Sequence, residues 1–110
     1  RHQVHGNIIQ STSRALKEFV TFDASGTTSL DWGGYPLLRF DELPEVQIEL
    51  LERPHEAPMG AGESASVPSA AAIANAIFDA TGVRLLEVPF TPSRVLAALK
   101  AAKSSAASSK

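Results

Sequence analysis

The feature that most restricts how this chain can fold is a stretch of fifteen residues in its second half, the 54–68 loop. It contains three prolines and two glycines, namely Pro54, Pro58, Pro68, Gly60 and Gly62. Proline removes a backbone donor and glycine adds backbone freedom, so neither a helix nor a strand continues easily through this stretch. Long irregular stretches inside compact domains are uncommon and are often functional. We therefore predict an irregular, functional loop between regular elements.

Three segments have the pattern of helices. Apolar residues recur near helical spacing over 3–20, and an alanine-rich run covers 70–80. Gly82 follows that run and suits the left-handed position just after a helix end. Thr91-Pro92 combines an N-cap residue with proline at the first helical position, so a third helix begins there.

Short extended segments fill the spaces between the helices. Residues 45–52 alternate charged or polar with apolar side chains, which predicts a strand with one buried face. Shorter apolar runs predict extended segments over 28–32, 37–40 and 85–88. Turn residues over 23–27 separate the first helix from these segments. The predicted fold class is α+β, with about three helices and several short strands, as a fragment of a larger domain.

The composition predicts one ordered unit and a short tail. Hydrophobic residues make up 44% of the chain and charged residues 20%, which is ordinary for a globular domain. We assign 1–103 to part of one domain and 104–110, which contains only Ser, Ala and Lys, to a disordered tail. The first residue is Arg1 rather than Met, and we expect a C-terminal fragment of a longer protein. Its first helix should then leave apolar side chains exposed, namely Val4, Ile8, Leu16 and Phe19.

Charge and cysteine content exclude several classes of function. Ten basic against twelve acidic residues give a net charge of −2, which provides no electrostatic basis for binding nucleic acid. The absence of cysteine excludes disulfides, thiolate metal sites and a cysteine nucleophile in this chain. We interpret the three histidines, His2, His5 and His55, as scattered loop or surface residues, and we predict no metal ligands.

One carboxylate stands out within the 54–68 loop. Glu63 follows Gly60-Ala61-Gly62 and comes shortly before the alanine-rich helix. A dinucleotide-binding glycine pattern is incomplete here, because Ala65 occupies the third glycine position. Glu63 is therefore either an ordinary carboxylate at the entry to a helix or a general base on a binding loop. The residues alone leave both interpretations open.

Several motifs together resemble one enzyme family. They are Gly60-Ala61-Gly62-Glu63, Ala72 to Gly82, Pro89 to Val95, Asp31-Trp32 with Tyr35 to Phe40, and Arg53-Pro54. The set is similar to the C-terminal segment of the molybdopterin-binding large subunit of molybdenum hydroxylases, the xanthine dehydrogenase and aldehyde oxidase family. The resemblance covers roughly 3–100 and is greatest to the bacterial isoquinoline oxidoreductase and nicotinate dehydrogenase branch.

The resemblance implies an activity and a set of site residues. It implies an oxidoreductase that hydroxylates an aldehyde or N-heterocycle carbon with oxygen from water, and Glu63 corresponds to the general base at molybdenum. Gln3 corresponds to a glutamine near the pterin, Gln10 matches a further family glutamine, and Gly60 and Gly62 belong to the cofactor-binding loop. The chain departs from the family over 11–13, where many members have glycine-rich spacing, and at 64–65, where many carry proline.

The resemblance also implies cofactors and partners. The cofactor is molybdopterin with molybdenum, in the cytosine dinucleotide form usual in bacterial members, with iron–sulfur clusters on a partner subunit or domain. The partners are the remainder of the same large subunit, an iron–sulfur subunit and a small-molecule substrate, with no nucleic acid. The expected location is cytoplasmic, with a periplasmic or membrane-associated complex as the alternative. The alternative function is a non-catalytic stand-alone or remnant domain acting in binding or complex assembly.

Two structural expectations follow from this resemblance. Residues 56–66 should be irregular, with Glu63 near the N-terminal side of the alanine-rich helix. The Glu63 carboxylate should lie in a concavity shared with Gln3 at the start of the first helix.

Overall fold

Helices provide most of the regular structure. The computed structural model describes residues 1–108. Its helices are α1 (His2–Leu16), α2 (Ser69–Thr81) and α3 (Pro92–Ser108). A small antiparallel sheet pairs β1 (Phe22–Asp23) with β2 (Gly26–Thr27), and a 3-10 helix covers Phe40–Glu42. The three predicted helices form, although the first ends at Leu16 rather than near Val20. The one small sheet lies over the predicted turn and not over any of the predicted strands.

The predicted strand over 45–52 is wrong for this chain. Residues 43–53 adopt no helix or strand. None of the other predicted extended segments, 28–32, 37–40 and 85–88, forms a strand either, and Phe40 begins the 3-10 helix. Alternating apolar residues favour an extended backbone, but a strand also needs a neighbour to complete its hydrogen-bond ladder. Within residues 1–108, the backbone of 45–52 makes one hydrogen bond, from the Arg1 guanidinium to the carbonyl of Ile48, at 2.8 Å.

The predicted turn over 23–27 closes the small sheet. The Asp23 carboxylate accepts hydrogen bonds from the Ser25 hydroxyl at 2.6 Å and the Ser25 backbone N–H at 2.7 Å. These bonds, the hydroxyl bond first, lower the pKa of Asp23. Gly26 has a φ of 127°, a conformation that side-chain-bearing residues rarely adopt. The turn therefore depends on both an Asx-type bond and a glycine.

The end of α2 and the start of α3 have the capping interactions predicted from the sequence. Gly82 has a φ of 70°, and its N–H donates to the Phe78 carbonyl at 2.7 Å. At the start of α3, the Thr91 hydroxyl accepts from the backbone N–H of Arg94 at 3.4 Å. These local signals fix where α2 ends and α3 begins.

The last helix covers part of the segment for which the sequence predicts a disordered tail, 104–110. The structure continues α3 to Ser108, and the remainder of the predicted tail, 109–110, lies outside the described residues. Alanine has the highest helix propensity and lysine is also a good helix former. A helix already established at Pro92 can extend through such residues at little cost, because propagation is easier than nucleation.

The small core lies where α1 meets α2 and the segment before α3. Ala15 and Phe90 are the buried apolar residues in the described chain, at 2% and 6% exposure. The Phe90 N–H donates to the Ala15 carbonyl at 2.7 Å, which joins the end of α1 to the approach to α3. Ser11 and Ser13 are also buried, and the Ser13 hydroxyl accepts from the Leu38 N–H at 3.1 Å. The small hydroxyl residues of α1 thus allow close packing.

Most large apolar side chains remain exposed. The radius of gyration is 18.0 Å, against about 13 Å for a compact domain of this length. Val4, Ile8 and Leu16 are half-buried and Phe19 is 48% exposed, so none of the four predicted positions is buried. No helix within residues 1–108 has the length and apolar character needed to cross a membrane. The chain therefore carries much apolar surface that it does not cover itself.

We expect the isolated chain to bind an apolar fluorescent dye and to self-associate as its concentration rises. The reason is the exposure of aromatic side chains such as Trp32, at 76%, and Phe40, at 95%. The double variant Trp32→Ser, Phe40→Ser should bind measurably less dye, whereas Phe90→Leu, at a buried position, should not reduce binding. Sedimentation and dye fluorescence measure this. A monomeric chain that binds no dye would contradict it.

An ion pair between Lys17 and Glu42 predicts a pH dependence. The Lys17 ammonium and, at 2.9 Å, the Arg39 N–H both donate to the Glu42 carboxylate. They lower the pKa of Glu42, with the Lys17 bond as the larger cause. A carboxyl group with a lowered folded pKa stabilises the fold above its unfolded pKa, about 4.3, and this contribution is lost as pH falls through the folded pKa.

We therefore expect the 3-10 helix to lose protection against hydrogen exchange in acid. Glu42→Gln should already lack the stabilisation by this ion pair at neutral pH. Its protection against hydrogen exchange should therefore change less as the pH falls. The difference should be small, because the pair is exposed to solvent. Exchange of the peptide covering 38–43, followed against pH, measures it. Identical pH profiles for the wild type and Glu42→Gln would rule out the ion pair as the cause.

Candidate functional site

A cavity of about 260 Å³ lies between α1 and the 54–68 loop. The α1 side includes Gln3, Asn7, Gln10 and Arg14, whose spacing of four, three and four residues places them on one face of the helix. The loop side contains Gly62, Glu63 and Ser66. The helix thus lines the cavity with residues that carry amide and guanidinium groups, and the loop lines it with a residue that carries a carboxylate.

Two side-chain amides of α1 hold the loop. The Gln3 amide donates to the Gly62 carbonyl at 2.9 Å, and the Asn7 amide donates to the same oxygen at 2.8 Å. Asn7 also donates to the Gln3 backbone carbonyl at 2.7 Å and is 8% exposed. The backbone just before Glu63 is therefore tied directly to α1.

The loop forms turns immediately after Glu63. The Glu63 carbonyl accepts from the Ser66 backbone N–H at 3.0 Å and from the Ser66 hydroxyl at 2.7 Å. The Ser69 hydroxyl then donates to the Ala65 carbonyl at 2.9 Å, at the start of α2. No residue of 56–66 belongs to a helix or strand, as expected from the sequence.

Four of the five predicted site residues surround one cavity. Gln3, Gln10, Gly62 and Glu63 line it, and Gly60 does not. The expected concavity shared by Glu63 and Gln3 is therefore present, while the chemical roles of these residues remain predictions. A Cβ added at Gly60 or Gly62 would meet no atom of this chain within 4 Å, and neither glycine has a positive φ. Packing within the chain does not require glycine at these positions.

Sequence reasoning missed Asn7 and Arg14. The apolar periodicity that predicts α1 gives no role to the polar residues of the same helix. The spacing of the polar residues at 3, 7, 10 and 14 was the available signal, because it defines a second stripe on the same helix.

Several side chains around the cavity are available to a ligand. Within residues 1–108, the side chains of Gln10, Arg14 and Glu63 make no hydrogen bond or ion pair with the protein. An amide both donates and accepts, and guanidinium suits anionic oxygens. No three His, Cys, Asp or Glu side chains of the described chain cluster to bind a metal ion. The amide and guanidinium groups of the cavity therefore suit a polar, partly anionic molecule.

A second cavity of about 380 Å³ lies beside the first and shares Gln10 and Arg14 with it. Trp32 and Tyr35 line its other side. The Tyr35 hydroxyl donates to the Glu18 carboxylate at 2.8 Å, and this bond, followed by burial, raises the pKa of Tyr35. The bond attaches the 31–38 segment to the end of α1.

Comparison with known proteins finds relatives that are subunits of dehydrogenases and oxidoreductases. A nicotinate dehydrogenase subunit of Pseudomonas putida is 67% identical over 99 residues, covering 90% of this chain and 8% of that protein. The molybdenum-binding subunit of an Escherichia coli aldehyde oxidoreductase is 31% identical over 103 residues, covering 87% of this chain and 14% of that protein. No protein-family model matches the chain.

A solved structure supports the same relationship. The crystal structure of quinoline 2-oxidoreductase from Pseudomonas putida 86 superposes with a TM-score of 0.75 and 26% sequence identity. The match covers 90% of this chain and 14% of that one. The chain thus spans 8–14% of the length of these three proteins.

Proposed function

Because this chain belongs to the molybdenum hydroxylase family as a segment of a larger subunit, we propose that it supplies the general base and part of the cofactor-binding wall of an oxidoreductase. The observation that carries the proposal is the shared cavity: Glu63 lines the same space as Gln3 and Gln10. These are the residues that correspond to the family's base and its pterin-site glutamines.

The side chains around the cavity fit molybdopterin. The amides of Gln3 and Gln10 would hold the pterin edges, which present both donors and acceptors. Arg14 would meet phosphate oxygens, which guanidinium binds well. The open space beside Gly62 allows the loop backbone to approach a bound group closely. When bound, the cofactor activates water and accepts the two electrons removed from the substrate.

The proposed reaction is hydroxylation of a carbon on an aldehyde or N-heterocycle. A C–H bond and one water become a C–OH group, with two electrons and two protons released. The Glu63 carboxylate accepts one proton from the water-derived oxygen and so increases its nucleophilicity. The relative at 67% identity is named for nicotinate, and this supports an N-heterocyclic substrate.

The proposal extends to the assembly around the site. The two electrons would pass to iron–sulfur clusters on a partner subunit, and the cofactor would be the cytosine dinucleotide form. The names of the relatives, which describe them as subunits, support an assembly of more than one chain. The remainder of the same large subunit would cover the cofactor and the apolar surface that this chain leaves exposed.

Metal and pterin analysis of the intact protein tests this function. We expect close to one molybdenum and one pterin per large subunit, and cytidine nucleotide released on acid treatment. Protein that is folded and assembled but contains neither molybdenum nor pterin would contradict the proposal. The non-catalytic binding or assembly function would then be the better account.

A further inference from the structure

The peptide unit that precedes Glu63 is held from α1 in an unusual way. Its carbonyl oxygen, on Gly62, accepts two side-chain amide hydrogen bonds, from Gln3 at 2.9 Å and from Asn7 at 2.8 Å. A carbonyl oxygen has two lone pairs, so both are used. Asn7 itself is buried and uses its second N–H on the Gln3 carbonyl, at 2.7 Å.

Asparagine is a poor choice for the interior of a helix unless its side chain has a role. Its helix propensity is low because its amide competes with the backbone for hydrogen bonds. At position 7 the amide instead bridges one turn of α1 to a residue 55 positions away in sequence. One of the two amide N–H groups of Asn7 is satisfied only while the Gly62 carbonyl stays in place, so the bridge and the loop stabilise each other.

Peptide planarity transmits this restraint to Glu63. The Gly62 carbonyl and the Glu63 nitrogen and Cα belong to one planar unit, so restraining the carbonyl also restrains the Glu63 Cα. On the other side of Glu63, its carbonyl accepts both hydrogen bonds from Ser66. The backbone is therefore held before and after Glu63, while its side chain makes no hydrogen bond within residues 1–108.

We propose that Asn7 is a positioning residue, which acts through the Gly62 peptide to hold the Glu63 carboxylate in the cavity. This inference rests on the proposed role of Glu63 as general base. Glycine at 62 leaves the peptide free to rotate, and the loop backbone there has no strand or helix to restrain it. The Asn7 amide supplies the restraint that the loop lacks.

Substitution of Asn7 in the intact, cofactor-loaded enzyme tests the proposal. Asn7→Asp keeps the side-chain shape but replaces the amide donor by an oxygen that repels the Gly62 and Gln3 carbonyls. We expect hydrogen exchange of the peptide covering 60–66 to become about five-fold faster, the factor expected for losing one hydrogen bond. We also expect kcat to fall about ten-fold, with KM and molybdenum content nearly unchanged. Asn7→Gln, which keeps the amide donor, should recover part of kcat.

Two further variants make the test decisive. Asn7→Leu is close in size and favours helix, so it gives the same comparison if Asn7→Asp fails to fold. Ser13→Ala is the matched control, because Ser13 is equally buried on α1 but bonds to Leu38 instead of the 54–68 loop. It should leave both exchange of 60–66 and kcat at wild-type values.

The results separate this inference from the proposed function. Glu63→Gln should lower turnover by ~10²–10⁴-fold without changing exchange of 60–66, since it leaves the loop backbone bonds intact. If the Asn7 variants exchange 60–66 no faster than Ser13→Ala does, the positioning role is wrong, whatever Glu63 does. If they do exchange faster but kcat stays at the wild-type value while Glu63→Gln shows its expected loss of turnover, the restraint does not position the base and the inference is also overturned.

Discussion

In the intact enzyme, Glu63→Gln is expected to lower turnover by ~10²–10⁴-fold, the usual cost of losing a general base. The amide is nearly isosteric with the carboxylate, and the Glu63 side chain makes no hydrogen bond within residues 1–108, so the fold should not change. The amide cannot accept a proton, so the water-derived oxygen must react without its help. Steady-state kinetics measure this loss.

Glu56→Gln is the matched control for that experiment. Glu56 is another carboxylate of the 54–68 loop, is also exposed, and does not line the cavity. Its replacement should leave turnover within about two-fold of the wild type, as expected for a surface change away from the site. Equal losses in the two variants would mean that the loop responds to any change of charge, and that Glu63 has no specific role.

Gln3→Ala is expected to act mainly on cofactor retention. Gln3 lines the cavity with Glu63, and its amide also bonds to the Gly62 carbonyl. Loss of this side chain removes a proposed pterin contact and one of the two anchors of the loop. One or two lost hydrogen bonds correspond to roughly 10-fold weaker binding. We expect a several-fold drop in molybdenum and pterin per subunit after dialysis.

Gln47→Ala provides the control for Gln3→Ala. Gln47 is an exposed glutamine that does not line the cavity. Its amide donates to the nearby Glu45 carboxylate. Its replacement should leave the molybdenum content unchanged. If Gln3→Ala keeps full molybdenum and pterin through dialysis, then Gln3 does not hold the cofactor.

The sequence predicted those parts of the fold that depend on local signals. The end of α2 at Gly82 and the start of α3 at Thr91-Pro92 are set by backbone conformation and capping within a few residues, so the pattern identified them. The strand over 45–52 failed for the opposite reason. Its alternation describes one face of a sheet, but a strand forms only beside another strand.

The residues of the site could also be predicted only in part. The Gly-x-Gly-Glu motif and its family resemblance pointed to Glu63, and the start of the first helix pointed to Gln3. The two positions are 60 residues apart, and composition gives no reason for them to meet. Asn7 joins them through Gly62, and its role depends on a tertiary contact that no local pattern predicts. The spacing of polar residues on a helix therefore also indicates where tertiary contacts form, as the spacing of apolar residues does.

The most direct test of the central claim is the anaerobic reductive half-reaction of Glu63→Gln, with molybdenum measured in the same samples. Single-turnover reduction by substrate isolates the chemical step from product release and from electron transfer to a partner. We predict full molybdenum content and a reduction rate ~10²–10⁴-fold below that of the wild type. A variant that retains its molybdenum and is reduced at a near wild-type rate would show that Glu63 is not the base.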